Sequence, residues 1–109
     1  MDSFEMVDLI TLQQRLGERY LEFFTSSEHL SMGLYFLKAG ESDPQQPHTE
    51  DEIYYIVSGR GEIRIADENA AVQPGSAIFV GAGVDHRFHS ITEDLIILVV
   101  FAPPRGSRA

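Results

Sequence analysis

The stretch GESDPQQPHTEDEIYYIVSG, residues 40–59, holds the closest grouping of metal-capable side chains in the chain and runs straight into a strand. Gln46, His48 and Glu52 follow one another at spacings of two and four, ahead of Ile53-Tyr54-Tyr55-Ile56-Val57. Alternate side chains of an extended segment share a face, so Gln46 and His48 are expected to point the same way. Glu52 joins them where the acidic link Thr49-Glu50-Asp51 folds back and the strand begins. A further histidine, His86, stands in a second glycine-punctuated stretch, residues 75–90. Two neutral imidazoles and one carboxylate bind divalent transition metals while leaving coordination positions open.

On either side of this stretch the chain reads as short strands. They are expected at 20–25, 30–37, 52–58, 61–67, 70–73, 76–80, 87–91 and 95–102, separated by Gly, Pro, Asp, Asn and Ser. Glu62-Ile63-Arg64-Ile65 alternates cleanly, Gly59-Arg60-Gly61 before it suits a tight hairpin turn, and Asp67-Glu68-Asn69 gives another turn. So many short strands indicate an antiparallel sandwich or barrel. One helix is expected at 6–16, where Leu9, Leu12 and Leu16 recur at helical spacing, Asp8 is placed to cap the start and Gly17 to stop it. Its stripe of leucines should lie on the outside of the sheet.

The chain has 109 residues, which suits one domain: a helical segment at 1–19, a barrel at 20–102 and a loose tail at 103–109. Arg105 and Arg108 in that tail read as a solvated end. The absence of cysteine excludes disulfides, thiolate zinc sites and cysteine nucleophiles. A net charge of -9 argues against binding nucleic acid or an anionic membrane through a broad basic surface. Met1-Asp2-Ser3-Phe4-Glu5 lacks the basic-then-apolar order of a secretory signal, and the longest apolar run, 95–102, is far short of a membrane span. A cytoplasmic protein is the expectation.

The two stretches together resemble the two signature motifs of the cupin superfamily. The first reads Gly40-x5-Gln46-Pro47-His48-x3-Glu52-x6-Gly59, with glutamine where the family has its first histidine. The second reads Gly75-x5-Gly81-Ala82-Gly83-x2-His86-x3-Ser90, with Gly81 and Ser90 in place of the usual proline and asparagine. The resemblance implies an all-β fold, a small jelly-roll β-barrel with a short N-terminal helix. It also implies a divalent transition metal (iron, manganese, zinc, nickel or cobalt) held by His48, Glu52, His86 and, in one reading, Gln46. A side-chain amide oxygen can ligate such ions, and the Gln-x-His pair is similar to that of phosphomannose isomerases; in the other reading Gln46 hydrogen-bonds a ligand. Without Gln46, the remaining trio is similar to the 2-His-1-carboxylate arrangement of non-haem iron oxygenases. Glu50 and Asp51 are expected in solvent, His89 outside the barrel and His29 in a surface turn.

A divalent ion with one carboxylate keeps about one net positive charge, which favours an anionic or enolisable oxygen ligand. Phe36, Tyr54, Phe79 and Phe88 fall where they could share the inward face as pocket walls, and Arg64 either clamps a carboxylate or faces outward. Glu52 is the candidate general base. Three classes stay open: a metal-dependent oxygenase or isomerase of a small oxygenated molecule, a non-catalytic binding module, and a metal-free epimerase-like barrel, which the His48, Glu52, His86 set disfavours. A homodimer that covers an exposed edge through the N-terminal segment is expected.

Overall fold

The computed structural model describes residues 1–26 and 28–107. Helix α1 (Met6–Leu16) precedes β1 (Tyr20–Ser26), β2 (Leu30–Leu37), β3 (Asp51–Ile65), β4 (Glu68–Val72), β5 (Ala77–Val80) and β6 (His86–Ala102). All pairings are antiparallel, in the order β1-β2-β6-β3-β4, with β5 added to β3. The sheet does not close on itself hydrogen bond by hydrogen bond; it rolls over in jelly-roll fashion around one apolar core. Arg108 and Ala109 of the expected tail lie outside the described residues. Arg105 does not sit in a free end, because its N–H donates to the buried Ser31 hydroxyl at 3.0 Å. Among the described residues no helix is long and apolar enough to cross a membrane.

Two of the expected turns are not turns. Strand β3 runs unbroken through Gly59-Arg60-Gly61, and β6 runs unbroken from His86 to Ala102 where two strands were expected. The reason lies in the parity of the buried residues. In β3 the core positions are Tyr54 and Ile56, then Ile63; in β6 they are His86 and Phe88, then Ile91 and Leu95. Each strand switches from even to odd once. An inserted residue does this by bending the strand without ending it. The β3–β6 register shifts between Ile56 and Glu62, and Ser90 in β6 has φ 49.

The bend brings backbones very close. Gly59 has φ 96, and a Cβ there would lie 2.1 Å from the Asp94 carbonyl oxygen. Gly59→Ala is therefore expected to cost about 2–4 kcal/mol through combined strain and overpacking, seen as a lower urea midpoint with unchanged slope. A midpoint equal to wild type would show that the strands separate freely here.

The rolling has a larger consequence. Glu52 pairs with Phe101 at one end of the β3–β6 ladder and Ile65 pairs with His86 at the other. A flat ladder would hold Glu52 and His86 about 40 Å apart at strand rise. In the folded sheet their side chains meet at 3.3 Å.

The helix ends at Gly17, φ 68, whose N–H donates to the Gln13 carbonyl at 2.9 Å. Asp8 does not cap it. The cap residue is Glu5, without a side-chain hydrogen bond, and Asp8 sits inside the first turn. The buried face is Leu9 and Gln13 rather than the leucine stripe, with Leu12 and Leu16 exposed. Gln13 sets the orientation because its Nε2 donates to the carbonyls of Leu34 (2.8 Å) and Arg19 (3.2 Å).

Candidate metal centre

Three backbone segments converge on one point. Residues 38–50, between β2 and β3, carry His48; Glu52 is the second residue of β3 and faces inward; His86 opens β6. The two motifs are tied directly: the Gly83 N–H donates to the His48 carbonyl at 2.7 Å, and the Ala82 N–H to Asp51 Oδ1 at 2.9 Å. One ligand atom from each of His48, Glu52 and His86 lies within 4.8 Å of the others. The side chains of Glu52 and His86 are each 1 % exposed. His48 is half-buried, edge-on to Phe101 with ring centroids 5.0 Å apart.

The donor chemistry fits a cation. His86 Nδ1 lies 2.9 Å from the Val84 carbonyl, which can only accept, so Nδ1 carries the proton and neutral Nε2 presents a lone pair. That lone pair faces the Glu52 carboxylate. His86 Nε2 and Glu52 Oε2 are both buried without a hydrogen-bond partner among the described residues. Buried polar atoms left in this state are costly, and a divalent ion held by Glu52 and His86 would satisfy both. The Val84 carbonyl then supplies the outer hydrogen bond that orients a ligating imidazole.

Burial pushes Glu52 above the ordinary carboxylate range, the nearby Tyr54 hydroxyl opposing the shift. Burial, helped by the nearby Arg105 guanidinium, lowers His48 below its ordinary 6.5. The signs differ. Glu52 favours the metal-free fold at low pH and loses that contribution as pH rises through its raised value; His48 destabilises the fold as pH falls below 6.5. A cation favours ionised Glu52 and neutral His48, so zinc loading is expected to weaken on acidification and to drive protons off the site as the pH is lowered. Calorimetric titration in buffers of different ionisation enthalpy measures this, and a buffer-independent heat would contradict it.

The remaining expected residues divide. Tyr54 and Phe88 are buried on the inner face, with Tyr54 6.0 Å from His86 between ring centroids. Phe36, Phe79 and Arg64 do not line the cavity beside His48. Phe36 lines the groove beneath α1, Phe79 is 63 % exposed, and Arg64 lies outside, bonded to the Ala66 carbonyl and 3.7 Å from Asp85. Strand alternation places Phe36 between the inward Tyr35 and Leu37, and pairs Phe79 with the outward Ile53. Gln46 is exposed and lines the cavity beside His48. Its neighbour Gln45 turns inward instead, accepting from the Tyr54 hydroxyl at 2.9 Å and donating to Asp43 at 2.7 Å. His89 bonds Asn69 at the surface at 2.7 Å, and His29 is exposed.

Glu50 corrects the expectation of a solvated acidic run: it is 2 % exposed and accepts from the Thr49 hydroxyl, while Asp51 alone is exposed. Asp43 and Arg105 went unread as site residues, since an acid before proline and an arginine after a proline pair carry no pattern. Asp43 is buried and accepts four hydrogen bonds. A cavity of about 410 Å³ opens beside His48, with Arg19, Tyr20, Tyr35, Gln46 and Arg105 among its walls.

Comparison with known proteins agrees with this architecture. The sequence profile of the cupin domain matches residues 33–101, and the chain belongs to that family. It is 44% identical over 106 residues to an uncharacterized protein of Streptomyces coelicolor, covering 97% of this chain and 100% of that one. It is 30% identical over 86 residues to acireductone dioxygenase 2 of Arabidopsis thaliana, covering 74% of this chain but only 44% of that protein. Among solved structures it resembles TT1209 from Thermus thermophilus, with TM-score 0.75, 26% identity and coverage of 95% and 99% of the two chains.

Proposed function

We propose that this cupin is a metal-dependent oxygenase of a small, oxygenated, anionic molecule, with a divalent transition metal held by His48, Glu52 and His86. The observation that carries the reading is the convergence of the orphaned, buried donor atoms of Glu52 and His86 with His48, which lines an open cavity. The likeness to a dioxygenase over most of this chain supports the choice among reactions. When bound, the metal supplies Lewis acidity and, as iron, access to oxygen chemistry. Phe101 and Val99 keep water off one wall. Glu52 would offer its partnerless Oε2 to the cation and keep Oε1, 3.3 Å from His86 Nε2, as the oxygen that accepts a proton from a bound enol or hydroxyl. His86 stays in one tautomer throughout because the Val84 carbonyl holds its other nitrogen.

The test is elemental analysis of protein purified without added metal, followed by oxygen uptake by the iron-loaded protein with diketones, hydroxy-ketones and phenols. About one metal per chain with oxygen consumption supports the reading. Metal without uptake moves the assignment to an isomerase or a binding protein, and no metal removes it.

Homodimerisation belongs to the same proposal. Phe79, Ile53, Val100, Met32 and Phe24 are successive cross-strand partners, forming one outward apolar row that Phe4 joins through its contacts with Phe23 and Phe24. This uncharged row lets two copies of a chain of net charge -9 meet without opposing like charges. Sedimentation equilibrium is expected to give a dimer and Ile53→Lys a monomer; a monomeric wild type would count against it.

A further inference from the structure

Three tyrosines face the inside of the roll near the metal centre, and only one lacks a hydrogen-bond partner. The Tyr35 hydroxyl donates to Asp43 Oδ1 at 2.6 Å and the Tyr54 hydroxyl to Gln45 Oε1 at 2.9 Å. The Tyr20 hydroxyl is buried with no partner among the described residues. Its ring is fixed: it packs edge-on to Tyr35 and Phe101 at 6.4 and 6.3 Å, and its hydroxyl lies so close over β2 that a Cβ at Gly33 would come within 2.2 Å. A glycine is thus required opposite a hydroxyl that bonds to nothing, an expensive arrangement for a purely structural residue.

The guanidinium of Arg105 caps the same ring, 4.7 Å from its centroid, where the chain turns back after β6. Both residues line the cavity beside His48. The other arginine of that cavity, Arg19, is already matched by Glu41 at 2.9 Å.

We propose that Arg105 and Tyr20 are the recognition end of the site for a carboxylate-bearing anion. Arg105 supplies the cation at the rim and the Tyr20 hydroxyl a donor within, while the opposite end of the ligand meets the metal-holding trio. This rests on the metal reading for that second end only. An anion accepts from both donors at once, and the hydroxyl gains the partner it otherwise lacks. A neutral ligand of the same shape gains much less.

The test uses malonate and its neutral diamide, malonamide, as probes, titrated into zinc-loaded and chelator-stripped protein by calorimetry, with metal content and melting temperature measured for each variant. Malonate is expected to bind wild type roughly tenfold or more tightly than malonamide, the worth of about one charge-assisted hydrogen bond. Arg105→Ala and Tyr20→Phe should each remove most of that preference with metal content unchanged. Tyr20→Phe should also melt at or above wild type, because it deletes a buried hydroxyl that the fold leaves unsatisfied. Equal malonate affinity in wild type and both variants overturns the proposal, as does a marked loss of melting temperature in Tyr20→Phe. An Arg105-dependent malonate preference that survives in stripped protein, in a chain that takes up no zinc, upholds the anion site and removes the metal reading instead.

Discussion

His86→Ala is expected to abolish metal retention, leaving well under a tenth of an equivalent after dialysis, with the far-ultraviolet circular dichroism of wild type. Removing a hydrogen bond that merely supports a ligand costs roughly 10–100-fold in metal affinity, so losing one of three ligands should cost more. The site has little to fall back on. Glu52 is fixed by the β3 backbone, and His48 by the Gly83 N–H bond to its carbonyl, so neither can move far to replace the missing donor. The fold should survive, because the substitution also removes a lone pair aimed at a carboxylate 3.3 Å away. Gln46→Ala provides the comparison. As a ligand, Gln46 would bring its variant close to the His86 result; as an exposed cavity residue bonding a bound group, it should cost no more than roughly the 10–100-fold range. Full metal occupancy in folded His86→Ala and His48→Ala together would place the metal elsewhere.

The same residues explain how much could be read beforehand. Helix and strand positions followed from periodicity, because burial on one face is a local property; β2 was legible to the residue. The three converging side chains, His48, Glu52 and His86, were legible as candidates because they sit on motifs whose spacing survives in the sequence. What was not legible depends on distant backbone. Gly59 reads as a turn by composition, and only the carbonyl of Asp94 pressing on it shows a bend within a strand. Phe36 and Phe79 are aromatic residues in strands, and which face they take depends on their register with Ile96 and Ile53 of the neighbouring long strands. Glu50 and Asp51 are adjacent acids, yet one is buried and one exposed. Arg105 gains its place only from Ser31 and Tyr20, both far earlier in the chain.

Asp43→Ala should be the most destabilising single change near the site, costing on the order of 3–5 kcal/mol and lowering the melting temperature by roughly 15 °C or more. Asp43 Oδ1 accepts from the Tyr35 hydroxyl at 2.6 Å and the Gln45 N–H at 3.1 Å; Oδ2 accepts from Gln45 Nε2 at 2.7 Å and the Phe88 N–H at 2.9 Å. One carboxylate thereby fastens the loop that carries His48 to both β2 and β6. Alanine strands the Tyr35 hydroxyl and the Phe88 N–H in the interior, at about 1–3 kcal/mol each, beyond the loss of the bonds themselves. Asp43→Asn keeps an acceptor on one side but turns an amide N–H₂ towards donors on the other, so its stability should fall between wild type and the alanine variant. Loosening the loop should also weaken metal binding, and saturating zinc should restore part of the lost melting temperature by mass action. Asp51→Ala is the control. That carboxylate is exposed and among the described residues accepts from the Ala82 N–H alone, so its loss should cost about 1 kcal/mol or less. If the two alanine variants melted within a few degrees of each other, the loop would be held by its own conformation and not by the buried carboxylate.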